Sequence, residues 1–233
     1  MATTSIYENG EYLAQNPTWH SEDSPRKAEQ ILRMLYRHKI TPRTVCEVGC
    51  GAGEILRQLQ LQLPDDCELF GYDISPQAYK IAVARTNRRL HFRLADLTSE
   101  TDEYFDLALV IDVIEHLDNY YSFLRQLRPR SEYKIFHIPL ELSAYSMLRS
   151  FQILQMRDLV GHIHHFNRDI ALAALRETGY QVLDWCYPYY PFSLRGMPVK
   201  QKILWTLRRT LRHVSLELAV RLLGGQSLLV LAR

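Results

Sequence analysis

The feature that most constrains this chain is a glycine turn joining a strand to a helix. Thr44–Val48 is a short apolar run. It passes straight into Gly49-Cys50-Gly51-Ala52-Gly53, and then into Glu54–Leu63. In that last stretch Ile55, Leu56, Leu59 and Leu63 recur at helical spacing. Glycines let a backbone turn tightly and let other groups approach it closely. A strand that feeds a helix in this way needs the helix to carry the chain back to the next parallel strand.

The rest of the sequence keeps the same alternation. Strands are expected at 68–72, 90–94, 105–111, 133–138, 181–185 and 227–231, with Pro139 ending the fifth in the series. Helices are expected at 76–87 behind a Ser75 cap, at 116–127 stopped by Pro129, and at 169–177 closed by Gly179. Ahead of the first strand, 25–38 reads as an amphipathic helix, with Ser24 as N-cap and Pro25 in its first turn. The near-continuous apolar run 105–111 fits a central parallel strand covered on both faces. The fold class expected is α/β, a mostly parallel seven-stranded sheet with helices on both faces. A single domain is expected. It has an N-terminal cover at 1–42, a core at 43–186, a basic helical insertion at 187–225 and a last strand at 226–233.

Composition adds little and excludes some classes. The chain has 233 residues, 47% of them hydrophobic, and a net charge of +2. That balance is not basic enough to indicate nucleic acid. No apolar run approaches a membrane span, and the N-terminus has no signal-peptide layout, so a cytoplasmic location is expected. The charge is uneven: residues 187–233 hold eight Lys/Arg against the single acid Glu217, a net of +7. Val199, Ile203, Leu204, Leu207 and Leu211 have helical spacing, with basic residues on the other faces. Residues 199–212 suit either contact with an anionic membrane surface or a solvated helix packing its apolar stripe on the domain. Cys46, Cys50, Cys67 and Cys186 lack zinc-site spacing and are expected as reduced thiols.

The spacing of the turn is informative. The dinucleotide fingerprint is GxGxxG, whereas here the pattern is GxGxG, with Glu54 where a third small residue would stand. A carboxylate at that helix start is unfavourable for a pyrophosphate. Asp73 ends the second strand, where an acid can accept ribose hydroxyls. Asp96 follows the third strand. Either acid can instead cap a turn.

EVGCGAGEIL, GYDISPQAYKIA, HFRLADL and FDLALVIDVIEHL, in this order, resemble the successive motifs of class I S-adenosylmethionine (SAM)-dependent methyltransferases. They are most similar to the small-molecule subgroup with an EH pair after the fourth strand. GHIHHFNRDIALAALRETGY extends the resemblance. The resemblance implies a Rossmann-like fold and SAM as cofactor. It implies that Glu47 orients the loop, that Gly49, Gly51 and Gly53 lie under the methionine portion, and that Asp73 takes the ribose. It also sets Ile74 against adenine, Asp96 near the adenine amine with Leu97 beside it, and Ile111 and Asp112 along the methionine end. Arg26 or Lys27 would reach the cofactor's carboxylate.

An acceptor would sit at the carboxyl ends of strands four and five, near Asp112, Glu115, His116, His137, Pro139 and Glu141. Histidine suits a general base near neutral pH. His164 and His165 are the first candidates, then His116; His137, within a strand, reads as a core histidine. Residues 142–159, with Tyr145, Met147, Leu148, Phe151 and Met156, read either as a lid over the pocket or as a Met and aromatic stripe of the core. The run His162–His165 has ligand-like residues without a carboxylate-rich partner pattern, and no metal is expected. The activity expected is methyl transfer to an O or N of a small molecule, without nucleic acid as partner. The other readings are a non-catalytic SAM-binding subunit and an NAD-dependent oxidoreductase. The sequence specifies neither the acceptor nor an oligomeric state.

Overall fold

The computed structural model describes residues 19, 21–99, 103–149, 151–188 and 198–233. Residues 1–18 and 20 of the expected N-terminal cover, with Tyr7 and Tyr12, lie outside them, as do Tyr189, Tyr190 and Phe192 of the expected insertion. In chain order the elements are α1 (Ser24–His38), β1 (Thr44–Val48), α2 (Glu54–Gln60), β2 (Glu68–Asp73), α3 (Pro76–Ala82), β3 (Leu90–Leu94) and β4 (Phe105–Ile111). Then come α4 (Tyr120–Leu127), β5 (Ser131–Leu140), α5 (Ala144–Met147), α6 (Phe151–Val160) and α7 (Arg168–Glu177). The chain closes with β6 (Val182–Cys186), α8 (Val199–Val214), α9 (Leu216–Leu223) and β7 (Gln226–Ala232).

One seven-stranded sheet runs in the order β3-β2-β1-β4-β5-β7-β6. β1 to β5 are mutually parallel, and β7 is antiparallel to both β5 and β6. The Rossmann-like class expected from the sequence is the one observed. Residues alternate between two cores, one on each face. Ala108, Val110, Phe136 and Val230 meet Leu124, Leu127, Leu172 and Leu175 on one side. Leu107, Leu109, Ile135 and Leu229 meet Ile31, Leu35, Leu56 and Leu59 on the other. This two-sided burial explains why β4 reads as an unbroken apolar run.

Strand order reverses between β1 and β4: β2 and β3 extend the sheet one way from β1, β4 and β5 the other. The carboxyl ends of β1 and β4 therefore border the crevice in which such sheets bind ligands.

Several boundaries differ from the sequence expectation. Ser24 is the first residue of α1 and not its cap, because a 3₁₀ turn at Ser21–Asp23 leads into the helix with Asp23 already in the helical region. The helix expected to begin at His116 begins at Tyr120, where the Asn119 side chain accepts from Ser122 N–H at 3.0 Å. His116 instead lies in the 3₁₀ turn Ile114–His116 directly after β4. β5 runs through Pro139 to Leu140, because its parallel neighbour β4 has already ended opposite His137 and demands no further donor on that side.

The basic insertion forms α8 and α9. The apolar stripe of α8 packs only in part: Leu204 and Leu211 are half-buried, while Val199, Ile203 and Leu207 are 70%, 64% and 51% exposed. Beside them Arg208 Nε and Nη2 donate to the Leu223 carbonyl at 3.1 and 2.7 Å, capping the end of α9. Among the described residues no helix is long and apolar enough to cross a membrane.

Candidate functional site

The glycine loop is held from below by β2. Gly49 and Cys50 N–H donate to the Tyr72 carbonyl at 2.8 and 3.0 Å, and Gly53 N–H donates to Cys50 at 2.8 Å. Gly51 N–H donates to Asp73 Oδ2 at 2.7 Å. Four loop amides are thus spent within the protein and are not offered to a phosphate, in contrast to phosphate-cradling loops. Gly51 (φ +53°) and Gly53 (φ +74°) are in the left-handed region, and a Cβ on either would fall 2.5 Å or less from the ring of Trp19 or Phe92.

Glu47, in β1 below the loop, is buried, and its Oε2 has no hydrogen-bond partner. Burial raises its pKa well above the usual carboxylate range; the Lys27 charge eases this, and the Asp73 and Asp112 charges add to it.

Asp73 is also buried and spends its oxygens locally, Oδ2 on Gly51 and Oδ1 on Ser75 N–H at 2.8 Å. Burial raises its pKa, against the pull of those amides. It therefore couples the loop to the start of α3, whatever further acceptor capacity it keeps. Asp96 is exposed and closes an Asx turn, accepting from Thr98 N–H at 2.8 Å and Thr98 Oγ1 at 2.7 Å. Ile74 is exposed after the end of β2, and Leu97 is buried in the core.

At the end of β4, Asp112 joins two elements. Its Oδ2 lies 2.6 Å from Lys27 Nζ of α1, and its Oδ1 lies 2.5 Å from His137 Nδ1 of β5. Asp112 has φ +55°, a conformation uncommon outside glycine. Burial alone would raise its pKa, but the His137 and Lys27 charges and their hydrogen bonds outweigh burial and lower it. For Lys27 burial is likewise outweighed, by Asp112, and its pKa rises. The pair is therefore ionised near neutral pH.

The turn after β4 and the loop after α6 are laced together. Ile163 and His164 N–H both donate to the Glu115 carbonyl, at 2.9 and 3.0 Å. His116 Nδ1 lies 3.1 Å from the Gly161 carbonyl, and His162 Nδ1 lies 2.6 Å from Glu141 Oε1. His165 Nδ1 is bonded to the second oxygen of Glu141. His164 packs edge-on against Tyr120, ring centroids 4.8 Å apart. The Glu115 side chain is fully buried, and burial, with the Asp112 charge, raises its pKa well above normal. His116 is pushed down to about 4, by burial first and then by His162.

These groups surround a cavity of about 530 Å³. Gly49, Gly51, Glu47 and Trp19 form one wall; Lys27, Asp112, His137 and Ile111 another; Glu115, His116 and His162 a third. Of the three candidate bases, only His116 is among the residues lining it; His164 and His165 spend their contacts on Tyr120 and Glu141. His137, read from sequence as core, lines it. Lys27 does too, and its sequence signal was a loose match in the N-terminal cover. A second cavity of about 380 Å³ adjoins the first at Pro139 and Ser227. Its other walls include Tyr145 of α5, Ile153 of α6, and Arg208 and Leu223 of the C-terminal helices.

Comparison with known proteins agrees with this architecture. Residues 19–184, more than half of the chain, match the methyltransferase domain family, and the chain belongs to it. A probable (S)-tetrahydroprotoberberine N-methyltransferase 2 from Papaver bracteatum is 28% identical over 116 residues, 46% of this chain. The match spans about a third of that protein, 32% of its length. The fold is similar to that of magnesium protoporphyrin IX methyltransferase from Synechocystis PCC 6803 with bound S-adenosylhomocysteine (SAH). The TM-score is 0.59 and identity 14%, over 89% of this chain and 82% of that one. It is also similar to the N-methyltransferase NodS from Bradyrhizobium japonicum WM9 in complex with SAH. There the TM-score is 0.57 and identity 16%, over 89% and 85% of the two chains.

Proposed function

We propose that the protein is a SAM-dependent methyltransferase acting on a small-molecule acceptor. The observation that carries the reading is the first cavity. In it an internally bonded glycine loop, a buried carboxylate with one unpartnered oxygen (Glu47 Oε2) and an ionised Lys27–Asp112 pair meet at the switch in strand order. The cofactor is S-adenosyl-L-methionine; when bound it supplies a methyl group on a sulfonium. Its ammonium gives Glu47 the donor it lacks, and Lys27 stands ready for its carboxylate. A dinucleotide fits less well, since the loop amides are already spent and Glu54 opens α2.

The chain's own work is alignment and proton handling. Holding acceptor, methyl and sulfur in line supplies much of the rate in such a displacement. Asp112 orients the His137 ring through Nδ1 at the cavity wall, and the proton-accepting role is assigned to this imidazole in its neutral form. His137 thus replaces His164 and His165 as proposed base. The second cavity, walled by α5, α6 and the C-terminal helices, holds the body of the acceptor.

Titration calorimetry with SAH, with NAD as control, tests the cofactor. Micromolar binding of SAH alone is expected, and NAD binding in its place would overturn the reading. Once an acceptor is in hand, His137→Ala is expected to cut kcat at least 100-fold with SAH affinity retained, and His164→Ala less than tenfold. The reverse ranking would return the base to His164.

A further inference from the structure

We propose that Glu115, His116 and His162 form a binding site for a divalent first-row transition-metal ion on the wall of the first cavity. One ligand atom from each of the three lies within 4.8 Å of the others. Ligands around a tetrahedral ion with bonds near 2.1 Å stand about 3.4 Å apart, so small side-chain rotations close the site.

Glu115 is the independent pointer. Its side chain is 0% exposed, and neither carboxylate oxygen has a hydrogen-bond partner. His116 Nε2 comes no nearer than 4.0 Å. A carboxyl group buried without donors is costly, and it is retained where it is paired or coordinates a metal.

The histidines are prepared for the same role. His116 Nδ1 faces the Gly161 carbonyl, which can only accept, so Nδ1 carries the hydrogen and Nε2 the lone pair. His162 Nδ1 faces Glu141 Oε1 at 2.6 Å, with the same consequence. A ligand histidine whose other nitrogen donates to a carbonyl or carboxylate is the common arrangement around protein-bound metals. The two rings meet edge to face, centroids 4.8 Å apart. The Ile163 and His164 amides pin the loop to the Glu115 carbonyl, so one scaffold carries all three ligands. Two imidazoles and one carboxylate suit Zn²⁺, Co²⁺, Fe²⁺ or Mn²⁺ better than Mg²⁺ or Ca²⁺.

Three protein ligands leave coordination positions open, and these ligands line the same cavity as His137. The site therefore favours an acceptor that presents a hydroxyl oxygen. Coordination acidifies the hydroxyl, its proton passes to His137, and the oxygen lone pair forms the new O–C bond. The methyl–sulfur bond breaks with its electron pair left on sulfur. This role rests on the methyltransferase reading above; the binding of the ion does not.

The test is titration of the EDTA-stripped full chain with Co²⁺, followed by visible absorption and calorimetry, beside a separate SAH titration. One equivalent is expected to bind, with the intense visible bands of a low-coordinate, nitrogen-liganded ion, and Zn²⁺ is expected to displace it. Glu115→Gln and His162→Ala should each weaken Co²⁺ at least 100-fold. Glu141→Gln, which only positions His162, should weaken it about 10- to 100-fold and keep the spectrum. Circular dichroism checks folding; if Glu115→Gln does not fold, the partly exposed His162 decides. No stoichiometric binding, or binding unaffected by the foldable variants, would overturn the site. Co²⁺ binding without SAH binding would remove the methyltransferase reading and leave the site standing; SAH binding without Co²⁺ would do the opposite.

Discussion

Asp112 Oδ1 stands 2.5 Å from His137 Nδ1, across the ends of the neighbouring strands β4 and β5, while Oδ2 of the same carboxylate holds Lys27 at 2.6 Å. One side chain thus ties the N-terminal helix to the central sheet and orients an imidazole in the cavity. Asp112→Asn keeps the shape, and Asn tolerates φ +55° better than most residues, so the change isolates the charge. It leaves the Lys27 ammonium part-buried without its counter-charge. We expect a loss of about 2–3 kcal/mol, read from urea denaturation. Lys27→Met should recover part of it, because the two residues act as a pair. A loss below about 0.5 kcal/mol would show that the pair contributes nothing to stability.

Asp73 accepts from the amides of both Gly51 and Ser75. Asp73→Ala leaves two buried donors unsatisfied and frees the loop from the start of α3. A stability loss of about 1–3 kcal/mol is expected. SAH affinity should fall at least tenfold, because the loop that forms the cavity wall is no longer fixed. Calorimetry on the folded variant decides. Unchanged affinity would confine Asp73 to a turn-capping role.

The sheet was legible because its signals are local. Glycine turns, caps and apolar runs each lie within a few residues, and the parallel strands follow from them. The cavity was legible only in part. Glu47, Gly49, Gly51, Ile111 and Asp112 line it, and all sit at strand ends that a motif marks. His137 is buried and hydrogen-bonded within β5, as a strand histidine reads, and its place on the cavity wall depends on which strand lies next to it. Glu115 and His116 come from the turn after β4 and His162 from the loop after α6, and no spacing rule joins them. The α8 stripe was legible in part for a related reason: periodicity finds an apolar face but not what covers it, and Val199, Ile203 and Leu207 stay exposed while Leu204 and Leu211 are half-buried beside Arg208, which caps α9.

Lys134 gives a pH prediction. It is buried in β5, donates to the Ser131 carbonyl, and lies over the Tyr180 ring. Burial, with the Arg128 charge, pushes its pKa down to about 8 from 10.5. The unfolded chain therefore holds more protons than the folded one between those values, and this group makes stability rise with pH across that window. The cost of its charge is fully present below pH 8 and relieved as the pH approaches 10.5. Lys134→Met should remove the cost at neutral pH, stabilising the fold by up to about 3 kcal/mol. The difference in stability between wild type and variant should shrink from pH 7 to pH 10.5. A constant difference would mean that Lys134 reaches solvent while charged.

Gly51 and Gly53 are both in the left-handed region, yet their alanine variants should fail in different ways. At Gly53 the new Cβ meets Phe92 Cε1 and Cζ at 2.4 Å, and Phe92 is locked in the core between the sheet and α2. Neither partner can retreat, so Gly53→Ala should cost about 2–4 kcal/mol in thermal or chemical denaturation. At Gly51 the Cβ meets Trp19 Cδ1 at 2.5 Å, but Trp19 is half-buried at the cavity wall and can swing away. Gly51→Ala should therefore cost only the backbone strain, about 1–2 kcal/mol. Its larger effect should be a fall of at least tenfold in SAH affinity, since the displaced indole no longer covers the loop. Equal effects on stability would place Trp19 in the packing of the fold, and not at a cavity wall that yields.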